Sequence, residues 1–277
     1  AAAGGAPGEE ALGAIVHHKN LGAARITDPA ERAALARLNL ADALRAKAAA
    51  AYEAAADRLG AATGLLGEEG GAEPRLAREI QAELAECEVL SARFAAAEAR
   101  YEALLQGAGT DLDRALIHAA RISLYQTQGR FADAIAAGRA GLALLGVALP
   151  EDEPAMRAAL GAEIAAIPAN LGGRRIEDLI DAPALSEPRD RAVLRLLTEL
   201  WTAAHFGMPA LRNVVTVKLV NFSLAHGHAE LSSFGYVAWC TVLARVLGRY
   251  PEARAFGRLS LALNERFPSA YLTSKLN

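Results

Sequence analysis

The sequence predicts an all-α fold, an α-solenoid of stacked antiparallel helical hairpins, and three observations carry that prediction. Ala makes up about a quarter of the 277 residues and aromatics only 5%, a balance that favours helices and leaves little material for strands. Helix-start signals recur, each an acidic or hydroxyl residue or Tyr followed by Pro, which suits the first helical position because its missing N–H costs nothing there. An internal repeat supplies the third.

Taken in order, Thr27-Asp28-Pro29 with Glu31 at capping-box spacing opens a helix to about Leu44. Apolar periodicity then gives helices over Lys47 to Leu66, Arg75 to Leu90, Ala95 to Leu105, Leu112 to Gln128 and Ala132 to Leu145. Asp152-Glu153-Pro154 opens one to about Ile167, Arg174 to Ile180 forms a short one, and Ser186-Glu187-Pro188 opens one to about Phe206. Leu211 to Ala225, Leu231 to Leu247, and a helix from Tyr250-Pro251-Glu252 to about Phe267 complete the set. Glycines at 67–71, 107–109 and 172–173 punctuate the pattern as helix ends and turns.

The repeat is clearest where residues 129–145 lie over residues 248–264 with nine identities in seventeen positions, among them Gly129/Gly248, Arg130/Arg249, Gly138/Gly257 and Arg139/Arg258. A third copy begins at Ala92-Arg93-Phe94, and a weaker fourth runs through Tyr52, Ala55 and Leu59. Neighbouring copies are offset by 37 and 42 residues, within the range of roughly 34 to 47 expected of paired-helix repeats. In each, an aromatic (Tyr52, Phe94, Phe131, Tyr250) opens the second helix, and three residues on a small side chain (Ala55, Ala97, Ala134, Ala253) permits close helix crossing. This is a tetratricopeptide-like pattern, which implies a right-handed array. The expected organisation is a flexible boundary at 1–12, helical repeats over 13–149, a Pro-rich irregular connection with short helices over 150–187, and further repeats over 188–277 that read as truncated.

A net charge of −3 leaves no cationic surplus for phosphates, so neither nucleic acid nor a membrane is an expected partner. The N-terminus has neither the basic start nor the apolar run of a signal peptide, and Cys87 and Cys240 sit far apart within apolar helical patterns, which points to a cytoplasmic protein with buried thiols. The chain begins without Met and stops within a helical pattern, as a piece of a longer polypeptide does.

No catalytic, metal or cofactor site emerges. His17 and His18 are adjacent and point apart on a helix, His226-Gly227-His228 sits at an expected helix end that its histidines can cap, and no glycine stretch is followed by the Lys-Ser or Lys-Thr of a phosphate loop. Arg174 and Arg175 stand beside Glu177 and Asp178, a structural salt bridge rather than an anion site. Hairpin phasing places Glu86, Ser123, Gln126 and Arg245 on a concave face, the candidate surface for a protein partner. Trp201, Phe206, Tyr236 and Trp239 concentrate in the C-terminal third and form the alternative candidate, an apolar pocket for a small-molecule sensor.

The runs Glu31 to Leu40, Arg45-Ala46-Lys47 followed by Ala50-Ala51-Tyr52, Leu84 to Glu88, Arg121 to Gln126, Arg175 to Leu179, Val220 to Leu224, Phe234-Gly235-Tyr236 and Phe256 to Leu259 occur together and in order from about Gly13. They resemble the helical-repeat region of large bacterial multidomain signalling kinases. In that family a protein-kinase-like domain and an AAA-type ATPase precede the repeats, and GAF and histidine-kinase domains often follow. The resemblance implies a non-catalytic regulatory module that couples an ATPase switch to a kinase output.

Overall fold

The computed structural model describes residues 9–67 and 71–268. The expected boundary at 1–12 therefore lies outside the described residues over 1–8, as do part of the glycine break at 67–71 and the last residues of the C-terminal repeats. Among the described residues the chain is all-α, with a single isolated parallel bridge, Ala184 to His228, in place of any sheet. No described helix is long and apolar enough to cross a membrane. Two compact units result, Ala1–Ala108 and Gly109–Asn277. The sequence reading instead separates its repeats over 150–187, a stretch that falls inside the second unit.

In the first unit α1 (Glu9–Leu21), which starts inside the expected 1–12 boundary, packs on α2 (Pro29–Ala48); α2 packs on α3 (Tyr52–Leu66), α3 on α4 (Pro74–Leu90), and α4 on α5 (Phe94–Gln106). Asp28 caps α2 by accepting from the amides of Ala30 and Glu31, with Pro29 at the first helical position. Leu35, Leu40, Leu59, Ile80 and Leu84 interleave with Ala36, Ala43, Ala55 and Ala62, so backbones approach closely and each helix contributes only a thin apolar layer.

In the second unit α6 (Asp111–Thr127) and α7 (Phe131–Leu144) form a hairpin, and α9 (Pro188–Gly207) packs on both. α10 (Pro209–His226) touches α9, α8 (Glu153–Leu171) and α11 (Ser232–Arg245), and α11 pairs with α12 (Tyr250–Arg266). The connection is more regular than its prolines suggest. α8 runs unbroken for 19 residues because Asp152 caps it, Pro154 occupies its first turn, and Pro168 falls in its last turn before Gly172 ends it in the left-handed conformation. Asn221 of α10 donates to the Glu163 carbonyl (2.8 Å) and carboxylate (2.7 Å), and Lys218 adds a 2.6 Å ion pair to the same carboxylate, which pins α8 in place. A 3₁₀ segment, Ile176–Asp181, then leads to Pro183–Leu185, where the His228 amide donates to the Pro183 carbonyl (2.9 Å) and the Leu185 amide to the His228 carbonyl (2.7 Å). Gly227 is required there: φ is +104°, and a Cβ would lie 2.3 Å from the Pro183 oxygen.

Four helix-helix turns share one conformation. Ala50, Ala92, Gly129 and Gly248, each two residues before the aromatic that opens the next helix, have φ of +58°, +58°, +70° and +66°. In each turn the following amide reaches back to a carbonyl of the preceding helix: Ala51 to Ala46 (2.8 Å), Arg93 to Glu88 (2.7 Å), Arg130 to Tyr125 (2.9 Å) and Arg249 to Leu243 (2.8 Å). The first three are Schellman endings, with bonds five residues back, and the fourth reaches six residues back; all four satisfy orphan carbonyls of the first helix while reversing the chain. A left-handed residue with a Cβ is strained, so Ala92→Gly is expected to raise stability by about 0.5–1 kcal/mol and Gly129→Ala to lower it by about 1 kcal/mol. Urea unfolding midpoints check both; equal midpoints for the parent and both variants would refute the shared turn.

Candidate functional site

The four concave-face candidates meet different fates. Glu86, on α4, is held with Glu83 by Lys47 of α2, at 2.8 and 2.7 Å. Burial disfavours the Lys47 ammonium, but hydrogen bonds and charges from the two carboxylates outweigh it and raise the pKa above the usual lysine value. Ser123 is exposed on α6, where its carbonyl accepts from the Thr127 hydroxyl (2.9 Å). Gln126 is not available to a partner: its side-chain amide donates to the Glu199 carbonyl of α9 at 2.7 Å. Arg245, in the last turn of α11, is exposed.

The four aromatics grouped as a pocket fall into two packing environments, since Trp201 and Phe206 both meet His205 while Tyr236 and Trp239 pack elsewhere. Tyr236 and Trp239 are 0% and 1% exposed, inside a filled cluster with Val217, Val220, Leu243 and Phe256. Tyr236 stacks on Phe256. Trp201 instead donates from its indole N–H to the Thr216 hydroxyl (2.8 Å), stacks on His205 and meets Phe234 edge-on. Phe206 is 64% exposed and stacks on Phe131. Helical spacing explains the separation, since these side chains leave different faces of α9 and α11.

Two features escape the sequence reading. A groove of about 730 Å3 runs along α4 and α5, lined by Pro74, Ala77, Gln81, Ala99, Arg100 and Leu104 among others. Its central cation is already neutralised, because Arg100 grips the buried Glu88 carboxylate through two nitrogens (3.0 and 3.1 Å) and also donates to Gln81. Gln81 in turn donates to Thr63 (3.0 Å), which closes a polar network across three helices. No local pattern connects Thr63, Gln81, Glu88 and Arg100, so only their packing could reveal it.

The second feature is a buried His228–Tyr236 pair at the Pro183–Leu185 junction. His228 is 1% exposed, with Nε2 2.8 Å from the Tyr236 hydroxyl, while its Nδ1 and the Trp239 indole nitrogen make no hydrogen bond among the described residues. Burial, then the charges of Arg266 and Arg174, lower the His228 pKa to about 4 against a smaller opposing pull from the Leu179 backbone. The imidazole is therefore neutral at pH 7, and burial raises the Tyr236 pKa further above its usual value, so the phenol donates and Nε2 accepts. Both groups are sealed from solvent.

Other sequence candidates take structural roles. His226 pairs with Asp190 at 3.0 Å and stacks on Phe222 instead of capping α10. Arg174 differs from expectation too: it donates to the carbonyls of Leu171, Asn170 and Leu224, closing the ends of α8 and α10, while Arg175 lies 3.7 Å from Glu177. Both cysteines are free, Cys87 buried and Cys240 half-buried, and burial raises both thiol pKa values. Among the described residues no three His, Cys, Asp or Glu side chains gather as metal ligands. No protein-family profile, curated protein or solved structure matches this chain.

His228 gives the second unit a definite acid sensitivity. Its folded pKa of about 4 lies below the ordinary 6.5, so between these values the unfolded chain binds a proton that the folded chain refuses. Stability is full above pH 6.5 and falls as pH drops through that window, by about 2 kcal/mol at pH 5. Urea unfolding at pH 7 and pH 5 should show this loss in the parent and a reduced loss in His228→Gln; identical pH slopes would refute the assignment.

Proposed function

We propose that this chain is a non-catalytic helical-repeat module, a tetratricopeptide-like right-handed α-solenoid that binds a protein partner or a neighbouring domain within a cytoplasmic signalling protein. The observation that carries this reading is the recurrence of one left-handed turn and one aromatic position in four hairpins. Hairpins repeated in this way cannot bury both faces alone; stacking them gives a continuous core with long exposed flanks, the geometry that binding arrays use. The polar groups a catalytic site would need are engaged in packing: Glu163, Asn221, Glu88, Gln126 and His228 all hold helices together.

The resemblance to multidomain signalling kinases supplies the partner. On that reading the module links an AAA-type ATPase switch to a histidine-kinase or serine/threonine-kinase output, and its helices transmit the change by shifting between packed arrangements. The sensor alternative gains no support, since Tyr236 and Trp239 fill a core and Phe206 lies on the surface.

A tagged form of this chain, mixed with separately expressed ATPase and kinase domains encoded in the same gene, is expected to retain at least one of them stoichiometrically and to change its turnover. Retention of neither domain, together with unchanged nucleotide hydrolysis and autophosphorylation, would overturn the proposal.

A further inference from the structure

α8 is held on α10 by polar contacts more than by burial. Of its 19 residues only Met156 is buried, against ten each in α9 and α10. Its apolar stripe, Leu160, Ile164, Ile167 and Leu171, recurs every three or four residues and is only half-buried against the cluster that contains Val217, Val220 and Trp239. Ala158, Gly161, Ala162 and Ala165 of the same helix are exposed.

Polar links run the length of the contact with α10. Glu163 takes the Lys218 ammonium (2.6 Å) and the Asn221 side-chain amide (2.7 Å), Asn170 donates to Asn221 (2.9 Å), and Arg174, just past the helix, donates to the Leu224 carbonyl (2.9 Å). Both partners in each link are polar, so water takes over their hydrogen bonds when the helices part. Separation here therefore costs less than exposing the leucines and valines that α9 and α10 bury.

The chain after α8 can bend, because Gly172 and Gly173 are both left-handed, at φ +61° and +74°, and nothing lies within 4 Å of a Cβ placed on Gly173. Either side of that freedom is anchored. Arg139 donates to the Leu149 carbonyl (3.2 Å) ahead of α8. Beyond the glycines Leu179 is 1% exposed, and the His228 backbone pairs with Pro183 and Leu185.

We infer that α8 is a regulatory strap, which detaches from α10 as one unit between these anchors while α6–α7 and α9–α12 stay folded. A free helix of this length containing Gly161 and Pro168 is marginal in water, so detachment also unwinds it. Glu163 is the clasp. The inference deepens the coupling role proposed above by naming the element that shifts, and it rests on that reading only for the word regulatory.

Hydrogen–deuterium exchange of the full chain at pH 7, followed by mass spectrometry, tests the strap without any partner. After correction for intrinsic rates, residues 156–171 are expected to exchange together and at least about a hundredfold faster than α9 and α10. Glu163→Gln keeps the side chain's shape and removes the charge that pairs with Lys218. It should speed exchange of α8 about tenfold further and leave α6–α7 and α9 at parent rates. Protection of α8 equal to that of α10 would overturn the inference. So would α8 exchange that Glu163→Gln leaves unmoved, or an effect of that variant spread evenly over the second unit, which is the mark of global unfolding. A successful domain pull-down with α8 as protected as α10 would remove the strap and leave the binding module; a fast-exchanging α8 with neither domain retained would keep the strap and remove the binding role.

Discussion

Close crossing of two helices at an alanine is the constraint on which the rest of this architecture depends. Ala55, Ala97 and Ala134 are all 0% exposed, and each lies three residues into the helix that follows a left-handed turn. The turn reverses the chain within a few residues, the aromatic packs back, and the small side chain lets the two backbones approach. A hairpin made this way is thin. Its alanines bury little apolar area, about 25 cal/mol for each Å2, so it gains less from its own closure than a leucine-rich pair does. Each hairpin therefore needs a neighbour on its outer face, and the order of packing within each unit follows from that need.

Polar groups complete what apolar burial leaves unfinished. A buried carboxylate is costly unless paired and hydrogen-bonded, a condition that the buried Glu88 and the half-buried Glu163 each meet through partners on another helix. These contacts fix which helix lies against which, a choice that interchangeable alanines specify poorly. His228 does the same for the irregular segment: its backbone pairs with Pro183–Leu185 on both sides while its ring meets Tyr236, so one residue ties the turn after α10 to the chain entering α9. The absence of a side chain at Gly227 is what allows that approach.

Caps, the hairpin turn and most helix boundaries were legible in the sequence because they are local, although the helix expected from Lys47 begins at Tyr52. Asp28-Pro29, Asp152 and the aromatic-small spacing act over a single turn of helix, and the structure places them where that chemistry predicts. Ala50 and Ala92 were harder to read, since a left-handed conformation at alanine becomes visible only by alignment with Gly129 and Gly248. The candidate sites failed to read out for a different reason. Composition grouped Trp201, Phe206, Tyr236 and Trp239, but which face of a helix is covered depends on what packs there from another helix, Thr216 and Phe234 on Trp201, Phe256 on Tyr236 and Phe131 on Phe206. Gln126 shows the same limit: its position on the face was legible, and the Glu199 carbonyl that occupies it was not.

Divergence between the two copies then carries physical meaning. Where α7 offers Ile135 to α9, α12 has Arg254 at the equivalent position. Fully burying an isoleucine side chain contributes about 1.5–3 kcal/mol, so this exchange removes an amount of that order from the apolar drive. Leu261 and Tyr250 are exposed, whereas Leu142, the counterpart of Leu261, is 0% exposed, so the two copies bury different shares of the same apolar positions. The first copy therefore has the composition of a buried intramolecular contact, and the second, among the described residues, that of an exposed and more polar face.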